Sequence, residues 1–279
     1  MKQKRILTIQ DISCVGRCSL TVALPIISSA GIEASIIPTA VLSTHTGGFE
    51  NYTFKDLTDE IMPITNHWES LGLTFDAIYT GYLGSFEQID IVAGVFDRFK
   101  SDDNFIVVDP AMADGGKLYG GFPEDFPKGM ANLCEKADII VPNMTEAAFM
   151  LDKEYIEEGY DKEYVEDMVM GLYNLGPSGV IITGISFDPD KLGIVSYDGK
   201  EMKYYFTHKI NGYFHGTGDV YASSFLAAYI KKNDLYEAAS IAADFTVKCI
   251  DATDTVGEDR KFGVNFESCL GDFIGMLKK

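Results

Sequence analysis

The alternation of short apolar runs with longer amphipathic stretches is the strongest constraint on how this 279-residue chain can fold. Residues 6–9, 35–38, 77–82, 105–109, 138–141 and 180–183 are strand-like and rich in Ile and Val. Helical stretches at 19–29, 86–100, 127–136 and 164–175, with a weaker one at 54–72, separate them. The strand-like runs show no polar alternation, as expected when both faces of a parallel sheet are covered. The fold class expected is therefore α/β, a three-layer α/β/α sandwich around a mostly parallel central sheet. The repeat breaks once, where residues 192–197 and 201–207 flank Asp198-Gly199-Lys200, a hairpin signal that places antiparallel strands at one sheet edge. Helical stretches at 220–232, 235–251 and 266–277 close the chain. No linker composition, charge block or internal repeat divides it, so a single domain spanning 1–279 is expected.

The formal net charge is −19. That argues against a nucleic-acid surface, which needs clustered Lys and Arg. If the ligand is itself anionic, the chain must hold it with dipoles, backbone amides and a divalent metal rather than with net charge. Cys14, Cys18, Cys134, Cys249 and Cys269 are scattered and odd in number, which fits a reducing compartment better than a disulfide framework. Lys2-Gln3-Lys4-Arg5 leads directly into a strand-like run, and no apolar stretch is long enough to span a bilayer. A cytoplasmic protein without a membrane partner is the expectation.

In a parallel sheet, ligands bind at the carboxyl ends of the strands. Those ends carry Gln10-Asp11, Thr80-Gly81-Tyr82, Asp109-Pro110, Pro142-Asn143-Met144-Thr145-Glu146 and Thr183-Gly184. A further segment, Gly216-Thr217-Gly218-Asp219, opens a helical stretch. Two glycines let the backbone curl, and the unpaired N–H groups of a helix start form an anion site. Asp219 within that turn reads either as a helix starter or as a reactive carboxylate.

Asp109-Pro110, Pro142-Asn143 with Glu146, Thr183-Gly184 and Gly216-Thr217-Gly218-Asp219, in that order, resemble the ribokinase-like superfamily. Leu42-Ser43-Thr44-His45-Thr46-Gly47, Ala77 to Gly84 and Ala137 to Asn143 make the chain look like its pyridoxal kinase branch, which phosphorylates vitamin B6 vitamers. The resemblance implies ATP as phosphoryl donor and Asp219 as the base that takes the hydroxymethyl proton. Gly216, Thr217 and Gly218 would cradle the phosphoryl group. It implies Mg2+ near Asp109 and Glu146, with Asn143 and Thr183 beside the nucleotide and a monovalent cation as a further candidate cofactor. Tyr119, in the glycine-dense segment 116–121, falls where the family has a mobile segment over ATP.

Asp11, His45, Thr46 and Tyr82 match positions the family uses around the pyridine ring, with Tyr82 stacking on it. His45 reads equally well as a satisfied structural histidine. Many pyridoxal kinases carry Ser where this chain has Asp11, and an acid facing the ring nitrogen would favour its protonated form. That shifts the expected preference toward pyridoxamine or pyridoxine. Asn143 and Glu146 also have the spacing of a helix cap, and both roles can hold together. A homodimer is the family's expectation. Two alternatives remain: a hydroxymethylpyrimidine kinase, although many of those carry Cys where this chain has Asp219, and a non-catalytic B6-binding protein on the same fold.

Overall fold

The strands form where the sequence has runs that only a buried sheet can shelter. In chain order the elements are β1 (Arg5–Ser13), α1 (Leu20–Ser29), β2 (Glu33–Leu42), β3 (Phe54–Asp56), α2 (Thr58–Ser70), β4 (Ala77–Thr80), α3 (Phe86–Phe99) and β5 (Phe105–Val108). They continue with β6 (Ala113–Asp114), β7 (Lys117–Leu118), α4 (Phe126–Cys134), β8 (Ile139–Ile140), α5 (Met144–Met150), α6 (Lys162–Tyr173), β9 (Gly179–Ile185), β10 (Lys191–Tyr197) and β11 (Met202–His208). The chain closes with α7 (Thr217–Lys232), α8 (Leu235–Val256) and α9 (Leu270–Met276). The structure, a computed structural model, describes residues 3–256 and 259–279.

Contacts group the chain into two compact units, one made of residues up to 77 and from 210 onward, the other of residues 78–209. In the first, β1 pairs parallel with β2 and β2 antiparallel with β3. Ile6, Leu7 and Ile9 of β1 are fully buried, each contributing about 1.5–3 kcal/mol over an exposed position. Helix α7 packs against α1 and α8. Its residues from Val220 to Ala228 are all buried, which is why the sequence there is apolar or small on every side rather than on one stripe. Lys231 and Lys232 in the last turn and Asn233 at φ 55° end it.

The second unit orders its strands β4-β5-β8-β9-β10-β11. β5, β8 and β9 run parallel, and β10 is antiparallel to both β9 and β11. The hairpin therefore lies at an edge, as the Asp198-Gly199 turn predicts; Gly199 has φ 81°. The α/β class and the mostly parallel arrangement hold.

Two local readings change. Residues 54–56 form an extended strand rather than the start of a helix, because Phe54 to Asp56 pair with Leu42 to Ala40. The Asp56 carboxylate accepts the Thr58 N–H at 2.7 Å, so the helix begins only there. The glycine-dense segment is partly ordered as well. Gly115 and Gly116, at φ 56° and 74°, make a two-residue turn between β6 and β7, the turn for which a Gly-Gly pair is suited.

Candidate active site

Each unit carries its own group of candidate residues. In the first, β1 is irregular at Asp11, where its register against β2 shifts between Gln10 and Ile12. The shift coincides with a buried acid, 4 % exposed. Its two oxygens are divided between hydroxyls: Ser19 Oγ donates to Oδ1 at 2.5 Å and Ser13 Oγ to Oδ2 at 3.0 Å. Burial raises this carboxyl above its ordinary value, and the two serine donors oppose the rise.

Gly216 caps α7 in the left-handed conformation, φ 76°. A Cβ there would run into the Arg17 carbonyl oxygen, so the glycine is required both by its dihedral and by space. No side chain caps the helix. The N–H groups of Thr217, Gly218 and Asp219 are thus the ones that helix geometry leaves without an intrahelical acceptor. Asp219 lies in the first turn but is not the cap. As a helix starter it therefore acts through first-turn charge and not as a cap.

The half-buried Asp219 carboxyl is pushed up to about 7, first by loss of water and then by the negative charge of Asp11, while the Ser19 backbone amide pulls the other way. Burial, with the charges of Asp219 and Asp11, pushes the Cys18 thiol well up. Ser19, which the sequence gives no reason to single out, bonds Asp11 through its hydroxyl and acts on Asp219 through its amide. Its significance rests on a tertiary contact to Asp11 and a backbone angle, neither of which a residue type announces.

His45 is held at both ring nitrogens. Nε2 contacts the Lys261 carbonyl oxygen at 2.6 Å and Nδ1 accepts the Gly47 N–H at 3.1 Å. Those partners fix the neutral tautomer with the proton on Nε2. Burial lowers its pKa. The ring packs edge-on to Phe49 and 5.0 Å from His215, and a side chain at Gly16 would collide with it. The structural role is therefore realised for His45, while Thr46 beside it stays exposed.

In the second unit the strand ends line up in register. The Asp109 N–H donates to Thr80 O at 2.9 Å and the Thr183 N–H to Pro142 O at 2.9 Å. Thr80, Asp109 and Asn143 thus sit at or just past consecutive strand ends, with Thr183 of β9 paired beside Asn143. Asn143 and Glu146 form a reciprocal capping box on α5. Glu146 does more: Oε1 accepts the Met112 and Ala113 N–H groups at 3.0 and 3.4 Å, and Oε2 the Asn143 N–H at 2.9 Å. Asn143 Nδ2 donates to Ala113 O at 2.8 Å. Burial pushes the Glu146 carboxyl up to about 8 against those amide donors.

Tyr82 follows β4, its ring 5.5 Å from that of Phe122. Tyr119 follows β7, tied by its N–H to Met112 O at 2.8 Å. The β6–β7 turn is itself held, since the Gly116 N–H donates to Thr145 Oγ1 at 3.1 Å.

Among the described residues no three His, Cys, Asp or Glu side chains gather as a metal cage. Asp109 is 7 % exposed, and Glu146 has spent three of its roughly four acceptor positions on amides. Such a donor set fits Mg2+ that arrives on phosphate and keeps several waters, and does not fit a dedicated protein cage.

The raised acids make a stability prediction. Asp219 in the folded protein keeps a proton that the unfolded chain releases near 3.8. The folded state binds more protons throughout that interval, so stability falls as pH rises from about 4 to about 7. Thermal melts across this range are expected to show the decline, and Asp219→Asn to flatten it; a wild-type melting temperature that climbs steadily to pH 7 with an unchanged slope in the variant would contradict the assignment.

Comparison with known proteins places this geometry. The phosphomethylpyrimidine kinase family model matches residues 24–264. A crystal structure of a Bacteroides thetaiotaomicron protein assigned as a phosphomethylpyrimidine kinase, in a form with pyridoxal, is 37% identical. It superposes with a TM-score of 0.92 over 98% of this chain and 96% of its own. The pyridoxal kinase of Lactobacillus plantarum is 26% identical, with a TM-score of 0.90 over 99% and 98% of the two chains. The hydroxymethylpyrimidine/phosphomethylpyrimidine kinase of Aquifex aeolicus is 30% identical over 189 residues, 66% of this chain and 69% of that protein.

Proposed function

The chain belongs to the phosphomethylpyrimidine kinase family, within the ribokinase-like superfamily, and from that premise we propose that it transfers the γ-phosphoryl group of ATP to the hydroxymethyl oxygen of a vitamin B6 vitamer. The observation that carries the reading is Asp219: an uncapped first-turn carboxylate, pushed up to about 7, beside helix N–H groups with no intrahelical acceptor. An alcohol is a poor nucleophile at neutral pH, and a carboxylate whose pKa lies near the working pH is a well-matched general base.

In this reading the hydroxymethyl O–H proton passes to Asp219 as its oxygen attacks the γ-phosphorus. The bond to the β–γ bridging oxygen breaks and ADP leaves with that oxygen. The amides of Thr217, Gly218 and Asp219, with the positive end of α7, would meet the negative charge on the phosphoryl oxygens. This supplies attraction that a chain of net charge −19 lacks in bulk. Asp109 and Glu146 would hold Mg2+, which neutralises phosphate charge when bound. Asn143 and Thr183 would line the nucleotide, and Asp11 and Tyr82 the vitamer ring, with Asp11 favouring a protonated ring nitrogen.

The pyridoxal carried by the 37%-identical Bacteroides protein supports a B6 acceptor. The Aquifex relative supports a second reading, hydroxymethylpyrimidine as acceptor. ATP-dependent phosphate transfer, assayed separately with pyridoxal, pyridoxine, pyridoxamine and hydroxymethylpyrimidine, tests both. Turnover with at least one B6 vitamer is expected. Tight vitamer binding with no turnover on any of the four would turn the protein into a binder and end the enzymatic reading.

A further inference from the structure

Ser19 stands at φ 54° and ψ −130°, a backbone region that glycine enters freely and serine only under strain. It is 5 % exposed. Its carbonyl oxygen starts α1 by accepting the Val22 and Ala23 N–H groups at 3.0 and 2.9 Å. Its backbone amide favours the charged form of Asp219. Glycine would make all of these backbone bonds without strain. The hydroxyl is what glycine cannot supply, and it donates to Asp11 Oδ1 at 2.5 Å.

We propose that Ser19 is a positioning residue for the acceptor: its hydroxyl, with that of Ser13, clamps the Asp11 carboxylate in one orientation from a strained turn. The inference rests on the reading of Asp11 and Asp219 as acceptor-side groups.

Two variants separate the hydroxyl from the strain. Ser19→Ala and Ser19→Gly both remove the hydroxyl and keep the N–H, but only glycine relaxes the backbone. Both are expected to raise KM for the vitamer about fivefold or more, with KM for ATP and kcat within about twofold of wild type. Vitamer affinity measured by calorimetry without ATP should weaken by a similar factor in both. The glycine variant should melt several degrees above the alanine variant.

A vitamer KM within about twofold of wild type in both variants would overturn the inference. So would a rise confined to the less stable one, since the effect would then follow folding and not the hydroxyl. Wild-type protein that neither binds nor phosphorylates any vitamer would instead remove the underlying reading, and the inference with it.

Discussion

Asp219→Asn is expected to lower kcat by about two orders of magnitude or more, with KM for ATP and for the vitamer changed only a few-fold. Asparagine keeps an oxygen that can accept the Ser19 N–H but cannot take a proton from an alcohol. Because Asp219 is not the cap of α7, the substitution removes no capping bond. It also removes a carboxyl that folding holds up to about 7, so the variant should melt at or above the wild-type temperature near neutral pH. Steady-state kinetics at saturating ATP and vitamer, with a thermal melt alongside, check both halves. A kcat within about threefold of wild type would take Asp219 out of proton transfer.

Glu146→Ala is expected to cost stability on a scale that few single substitutions reach. It strands the N–H groups of Met112, Ala113 and Asn143, all of which now end on this buried carboxylate. Leaving a buried donor unsatisfied costs about 1–3 kcal/mol, so even partial relaxation leaves a loss of several kcal/mol against a typical total of about 5–15. The melting temperature should fall by roughly 10 °C or more. Hydrogen exchange should quicken first at Met112, Ala113 and Asn143, because those amides lose their acceptor. A melting temperature within about 2 °C of wild type would show that water or a neighbouring group replaces the carboxylate.

The two acids were legible in the sequence to different depths. Asp219 stands out because Gly-Thr-Gly-Asp before an apolar helix is a short local pattern, and its local chemistry is what matters. Asn143-x-x-Glu146 is equally visible as a cap, and the capping box is present. That Glu146 also gathers amides some thirty residues upstream is a tertiary fact, without a local signal. The parallel strands were readable because both of their faces are buried, which leaves continuous Ile and Val runs. β3 was not, since Phe54, Lys55 and Asp56 are all exposed and owe their extended form to pairing with β2. Ser19 was hidden for a different reason: a strained backbone angle and a tertiary contact to a buried acid leave no mark on residue type. Residue type alone does not choose between the two roles of His45; its two backbone partners account for both ring nitrogens.

The account stands most directly on which alcohol receives the phosphoryl group. Equimolar pyridoxal, pyridoxine, pyridoxamine and hydroxymethylpyrimidine can be offered in one vessel with ATP and Mg2+, and the phosphorylated products followed by mass spectrometry from the first turnovers. The result predicted is a B6 5'-phosphate as the first product, with its formation abolished by Asp219→Asn. Hydroxymethylpyrimidine phosphate appearing first, or ATP consumed with no phosphorylated acceptor, would contradict it.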